Sequence, residues 1–463
     1  MSHYDLKPEL KITTQETGWN GYENIAQALK KQISGRTVIA IECYPGVNND
    51  EIASQLVPLL HPELTIQADD ATLPVSEINA LIKRTLTDDR VFGVMSHYEL
   101  AEFFDPDKVA HYNEQIKAAT GTIVVYGTGA TLLAEADILI YADITRWEIQ
   151  CRFRNENMSN WKADNHNDDA LRKFKRGYFF EWRIADRLKN RLHNSVDFLL
   201  DTNIKNTPKM ISGAAYRAGL KQFTEQPFRL VPYFDSSVWG GQWMKEQFNL
   251  DPNVQNYGWA FDGVPEENSD FNFPDEKHIN VFPVKKHDHF LIPPGTIHCG
   301  GPDTVVLEIS ATPYIFTFKL WDWGRKGLDG LPRPVHIDHG EPNLLMDRST
   351  SWVKENLINQ FKTLHKDEKV HSESTGLHEL EFIQTDRHWF SDYVDLDTHD
   401  SVNMLNLVEG EQIQVESLND AFAPFTVHYG ETFIVPEQVK RYRIRVTSTT
   451  NAKHAIIQAY VRN

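Results

Sequence analysis

The residues best suited to chemistry fall in one run, Lys285-Lys286-His287-Asp288-His289-Phe290-Leu291-Ile292-Pro293-Pro294-Gly295-Thr296-Ile297-His298. Its Pro-x-Gly-x-x-His spacing sets His298 just beyond a sharp turn between strands, where a neutral imidazole can be aimed inward at a metal, and such a ring suits Zn²⁺. His287 and His289 are additional candidate ligands, with exposed loop positions as their alternative. Lys285 and Lys286 put positive charge beside the turn, as an anionic substrate requires. Catalytic zinc needs three protein ligands and an open position, and only His298 has a geometric reason to be one.

The elements that must position this run are short strands. Beyond Pro208 the chain is punctuated by Pro and Gly, with strand candidates at Phe290 to Ile292, Val305 to Ile309, Ile315 to Leu320, Phe433 to Val435 and Tyr442 to Val446, and one helical stretch around Thr350 to Leu364. That texture predicts a jelly roll or sandwich. Residues 22–210 differ. The apolar runs at Thr37 to Glu42, Val91 to Met95, Thr122 to Tyr126 and Ile138 to Ala142 are separated by segments long enough for crossover helices, which predicts a parallel α/β domain. From Trp147 to Leu200 the chain is basic and aromatic, with Arg152, Lys173, Lys175, Arg176 and Arg183 among Trp161, Phe179, Phe180 and Trp182. This reads as a solvated face over a buried aromatic stripe, with phosphate binding as the alternative.

With 463 residues the chain exceeds what one core usually holds, so several domains are expected. A formal charge of −18 argues against nucleic acid or an anionic membrane as the main partner. The start lacks a basic and apolar leader, and no run approaches the ~20 apolar residues of a membrane span. Cys43, Cys151 and Cys299 are scattered and odd in number, which argues against a disulfide framework and a Cys-based zinc site. A cytoplasmic location is expected.

Several separated stretches between Arg229 and Asn463 resemble type I, zinc-dependent mannose-6-phosphate isomerases of the cupin class. Trp239-Gly240-Gly241 looks like their entry motif, and Tyr257-Gly258-Trp259 is similar to their G-E-x-W segment without its Glu. The 293–298 turn looks like their zinc-ligand turn. Leu307-Glu308-Ile309 followed by Trp321-Asp322-Trp323-Gly324-Arg325 resembles their closing signatures. The resemblance implies zinc at His298, Arg325 near the reacting sugar, and interconversion of mannose 6-phosphate and fructose 6-phosphate through a cis-enediol. It also implies a Q-x-H-P pair and a downstream Glu as further ligands. Here the interval from Gly263 to His287 holds no Q-x-H and is too short for the strands that carry them. The metal site is expected to be incomplete.

Residues 37–60 and 122–154 resemble uridine-kinase-like P-loop domains. Their phosphate cradle, G-x-x-x-x-G-K-[ST], is degenerate here. Glu42 to Asp50 keeps Gly46, lacks the Lys, and carries a carboxylate at each end. No nucleotide cofactor is expected. Gly430 to Pro436 opens the cupin turn again, but Gln438 and Arg441 replace its Gly and His, so the last barrel reads as structural.

The expected organisation is an N-terminal extension (1–21), a degenerate kinase-like α/β domain (22–208) with an unidentified protein partner, and a cupin-type domain (209–345) shortened between 263 and 287. A helical connector (346–376) and a second barrel without ligands (377–463) follow. The expected function is sugar-phosphate isomerisation, with Lys285, Lys286 and Arg325 binding substrate. Two alternatives remain open: a catalytically inactive sugar-phosphate-binding regulator, and a shortened form of a longer active isomerase.

Overall fold

The computed structural model describes residues 4–14, 18–156, 158–232, 235–236, 242–248, 257–258, 266–268, 279–301, 303–310, 318–321, 331–332, 334–447 and 453–462. The chain forms two compact units. One comprises Thr13–Leu220 with Arg325–Pro334, and the other Met1–Ile12, Lys221–Gly324 and Val335–Asn463.

The first unit is built on a seven-stranded sheet of β1 (Gly18–Asn20), β2 (Thr37–Cys43), β3 (Leu64–Gln67), β4 (Thr122–Gly127), β5 (Ile138–Asp143), β6 (Phe198–Asp201) and β7 (Lys209–Ser212). Its order is β1-β7-β6-β5-β2-β4-β3. The five strands β3-β4-β2-β5-β6 are parallel, and β7 and β1 add antiparallel at one edge. β2 is buried along its whole length because both faces are covered. Val38 and Ala40 enter one core with Ile123, Val125, Leu139 and Tyr141. Ile39 and Ile41 enter the other with Val124, Ile138, Ile140 and Leu200. Continuous β-branched runs are what a doubly covered parallel sheet needs.

Three expectations change here. The run Val91 to Met95 is not a strand; the Val94 N–H donates to the Thr85 carbonyl and that of Ser96 to Phe179, so its backbone is satisfied away from the sheet. The strand between β2 and β4 is β3 instead. β7 lies past Pro208 yet completes this sheet, so the α/β unit runs further than residue 208. The basic segment is only partly a solvated face: Arg154, Arg172 and Arg191 are exposed over the buried Trp161, Phe179, Phe180 and Trp182, but Arg152, Lys173, Lys175 and Arg176 are buried. Arg152 pairs with Glu148 at 2.9 Å and Arg176 with Glu181 at 3.0 Å, while the Lys173 and Lys175 ammonium groups donate to the carbonyls of His166 and Asp89. A charge survives burial only when matched in this way.

The second unit begins with β8 (Phe228–Arg229) and two small antiparallel pairs, β9 (Asp235–Ser236) with β10 (Tyr257–Gly258), and β11 (Glu266–Asn268) with β12 (Thr304–Val306). Its main body has β13 (Lys362–Lys366), β14 (Val370–Ser374), β15 (Ile383–Phe390), β16 (Tyr393–Asp397), β17 (Asn403–Glu409), β18 (Gln412–Ser417), β19 (Phe425–His428), β20 (Thr432–Val435), β21 (Arg441–Val446) and β22 (His454–Val461). They form a seven-stranded sheet, β13-β14-β15-β22-β17-β20-β8, and a four-stranded sheet, β16-β21-β18-β19. Every pairing in both is antiparallel. Both sheets contribute to one core, including Phe390, Leu405, Leu407, Ile413, Val415, Phe433, Ile444 and Ile456.

The connector expected at 346–376 is helical only over Thr350–Asn356, after which β13 and β14 begin. Of the expected strands, Phe290 makes a single bridge to Ile358, Thr304–Val306 is extended, and residues 315–317 lie outside the described set.

Candidate functional site

On the seven-stranded sheet, strand alternation sends successive side chains to opposite faces. Phe390, His388 and Asp386 of β15 therefore share the inner face, and Trp389 and Arg387 the outer one. The inner face is apolar at one end and polar at the other. His388 is buried, and its Nε2–H donates to Gln458 Oε1 at 3.0 Å while its Nδ1 accepts from the Ser372 hydroxyl at 2.8 Å. The Gln458 amide donates to Asn403 Oδ1 at 2.6 Å, which also accepts from the Tyr442 hydroxyl at 3.1 Å. Burial holds the His388 imidazole below its usual pKa, so it is neutral. This network matches donor to acceptor throughout.

The outer face gathers the charged residues. Arg387 Nε and Nη2 both reach Glu373 Oε1, at 2.7 and 2.6 Å, and Arg387 Nη1 donates to the His287 carbonyl at 2.7 Å. The guanidinium lies over the Phe361 and Trp389 rings at 4.5 and 5.7 Å. His287 takes a left-handed backbone (φ 71°), which turns its ring toward Trp389, 4.8 Å away, and its Nε2 toward Glu409 Oε2 at 2.6 Å. Lys286 Nζ meets the same oxygen at 2.6 Å. Burial raises the Glu409 pKa, but the hydrogen bonds from Lys286 and His287 outweigh it and hold the carboxyl below its ordinary value. Lys285 is exposed at the rim.

His289 is the unusual member. Its backbone exchanges hydrogen bonds with Asn359, and its ring stands 5.6 Å from Phe361. Its Nδ1 is buried without a hydrogen-bond partner among the described residues. Burial, reinforced by the Arg387 charge, pulls the imidazole down to about 4. At neutral pH it presents an uncharged ring with an open acceptor or donor.

The turn that carries His298 forms as its sequence requires. Gly295 is left-handed (φ 77°), and a Cβ there would stand 2.7 Å from the Asn343 carbonyl oxygen. The Gly295 carbonyl accepts from Leu345 N–H at 3.0 Å and that of Pro293 from Arg348 at 3.1 Å. These bonds anchor the turn against residues 343–348 and leave His298 exposed, with Nδ1–H donating to the Thr296 carbonyl at 2.9 Å. The expected inward-facing ring is corrected accordingly. Among the described residues no group of three or more His, Cys, Asp or Glu side chains could hold a metal ion. Arg325 lies outside the described residues, as do Trp239, Gly240, Gly241, Trp259, Asp322 and Trp323.

In the α/β unit, the loop after β2 is closed upon itself. Asn48 Oδ1 accepts from the Asp50 and Glu51 N–H groups at 3.1 and 3.2 Å, and the Val47 N–H donates to the Tyr44 carbonyl. Three of the backbone donors that could cradle a phosphate are thus taken. Glu42 is buried and accepts from Gly129 N–H, Thr131 N–H and the Thr131 hydroxyl, at 2.6, 2.9 and 2.8 Å. Burial still pushes its carboxyl up to about 7, against those hydrogen bonds. Asp69, also buried, accepts from Trp161 Nε1 at 2.5 Å and from Asn49 at 2.9 Å.

Sequence reasoning found Lys285, Lys286, His287 and His289 but missed Glu373, Arg387, Trp389 and Glu409. The adjacency of cation, imidazole and indole in Arg387-His388-Trp389 is a signal for two of them, and Glu373 and Glu409 carry none.

Residues 21–225 match a family model described as a domain of unknown function, DUF8485. No curated protein matches in sequence. Among solved structures, a mannose 6-phosphate isomerase from Bacillus subtilis aligns over 51% of this chain and 99% of its own at 12% identity, with a TM-score of 0.33. One from Salmonella typhimurium, bound to fructose 6-phosphate and zinc, aligns over 28% of this chain and 29% of its own at 12% identity and a TM-score of 0.22. A cupin superfamily protein from Desulfitobacterium hafniense aligns over 21% and 83% at 10% identity and a TM-score of 0.17. Likenesses this slight carry no argument about activity. Among the described residues no helix is long and apolar enough to cross a membrane.

Proposed function

We propose that the β-rich unit binds a hexose phosphate and interconverts mannose 6-phosphate and fructose 6-phosphate. One observation carries this reading: Lys286, His287 and His289, marked by sequence alone, meet Arg387, Glu373 and Glu409 on one outer sheet face. Lys285 and Lys286 would hold the phosphate, whose charge would compete with Glu409 for the Lys286 ammonium. Trp389 and Phe361 offer apolar surface to the sugar ring. Glu409, freed from Lys286, is the nearby carboxylate that would move a proton between C1 and C2. The sequence resemblance alone assigns to Arg325 the cation that would steady an enediolate, and that residue lies outside the described set.

Zinc does not fit the described residues: the His298 ring is exposed, His287 Nε2 is engaged by Glu409, and no ligand trio forms. No step is assigned to it. The exposure of His298 favours a second reading, a cupin-like binding protein that takes up sugar phosphate without turnover, with the degenerate P-loop-like unit as its regulatory or docking partner.

Calorimetric titration of the full chain with mannose 6-phosphate, beside a coupled assay for fructose 6-phosphate, separates the readings. Binding and turnover both weakened by Lys286→Ala support the isomerase. Binding without turnover selects the regulator, and no binding at all removes both.

A further inference from the structure

The α/β unit has a cavity of about 620 Å³ at the carboxyl ends of β5 and β6, beside the closed loop after β2. Open parallel sheets bind their ligands at such strand ends, and this volume lies within the ~300–1,000 Å³ of small-molecule sites. We propose that this cavity binds an uncharged polyhydroxylated molecule of mono- to disaccharide size.

The wall charges exclude most other ligands. Three carboxylates, Asp143, Asp186 and Asp201, face two cations, Arg146 and Lys189. Both cations are engaged. Arg146 pairs with Asp186 and lies 5.3 Å from the Trp182 ring centre, while Lys189 Nζ pairs with Asp143 Oδ2 at 2.5 Å and sits 5.7 Å from the Tyr44 ring centre. One negative charge is left over, so a phosphorylated ligand would meet repulsion with no unpaired cation to receive it. A nucleoside triphosphate is the least suitable occupant.

The same wall calls for hydrogen-bond donors. Asp143 Oδ1 is buried and has no partner among the described residues, and a carboxylate oxygen in that state lacks the donor it would find in water. A ligand hydroxyl supplies one. Asp201 is already braced for a second contact, because Asn203 donates both its N–H and its side-chain amide to Asp201 Oδ1, at 2.9 and 2.7 Å. Tyr44 donates its hydroxyl to Asp186 Oδ1 at 2.9 Å, which leaves its ring as a flat wall. Ile144 and Leu199 complete the lining with apolar surface suited to the C–H face of a sugar. Carboxylate acceptors beside aromatic and aliphatic faces are the chemistry that recognises polyols without charge.

Saturation-transfer NMR on the full chain, with D-mannose, D-ribose and sucrose as probes, tests this site. The expected result is saturable binding of at least one probe, weakened about tenfold in both Asp143→Asn and Asp201→Asn, with melting temperatures confirming that each variant folds. Ribose 5-phosphate should not compete for that binding. The proposal is overturned if no probe binds, if binding ignores both substitutions, or if ribose 5-phosphate competes as well as ribose. Because the readout depends on Asp143 and Asp201, its failure is independent of any failure at the sheet face of the other unit.

Discussion

Arg387 places two guanidinium nitrogens on a single oxygen of Glu373, leaving the second oxygen 3.8 Å from His371 Nε2. Both partners are buried, so the pair is held by mutual compensation. Removing one partner strands the other charge. Arg387→Met should cost about 3 kcal/mol in urea unfolding, while the double change with Glu373→Gln should recover part of that loss. Equal losses in single and double variants would show that the pair is not coupled.

His289 gives the β-rich unit an acid sensitivity. Above its unfolded value of 6.5 both states are neutral. As pH falls from 6.5 toward 4, the unfolded chain takes up a proton that the folded ring refuses, so stability falls by about 2–3 kcal/mol. His289→Phe should flatten that slope in the difference between variant and wild-type unfolding curves. An unchanged slope would mean the ring is not buried in its neutral form.

Glu42 acts in the opposite direction in the α/β unit. Its folded value of about 7 exceeds the ordinary 4.5, so between those limits the unfolded chain releases a proton that the folded chain keeps. Stability therefore falls as pH rises through the window, by up to about 3 kcal/mol. Glu42→Gln retains a carbonyl acceptor for the Gly129 or Thr131 donors and should remove this fall. Amide hydrogen exchange of β2 and β4 at pH 5 and pH 7.5 reads it out.

His298→Ala tests the corrected position of the metal ligand. An exposed ring that, among the described residues, bonds only a neighbouring carbonyl should be replaceable within about 0.5 kcal/mol, with mannose 6-phosphate affinity unchanged. A large loss of affinity, accompanied by loss of bound zinc in metal analysis, would restore the ring to the centre of the site.

Parts of this architecture were legible as sequence because burial leaves a compositional mark. β2, β4 and β5 are covered on both faces and read as short, largely apolar runs rich in Val and Ile. β3 was missed because Leu64–Gln67 is short and only Ile66 is fully buried. The run at 91–95 shows that apolar content alone fixes neither pairing nor burial, since Val94 is exposed and its N–H donates to the Thr85 carbonyl. The outer sheet face was half legible: adjacent cationic and imidazole side chains at 285–289 stood out, but Arg387, Glu373 and Glu409 come from β15, β14 and β17, and only strand register brings them together. The buried cations of 152–176 were misread because sequence shows a charge but not the distant carbonyl that satisfies it.

The chain of contacts from Ser372 through His388 and Gln458 to Asn403 and Tyr442 has a consequence for how this two-sheet core can change. A guest entering that end would have to break several matched interactions at once, with nothing gained until the last was replaced. Stepwise substitution is therefore disfavoured at this polar end of the core, as it is for the buried Arg387–Glu373 pair on the opposite face of the same sheet.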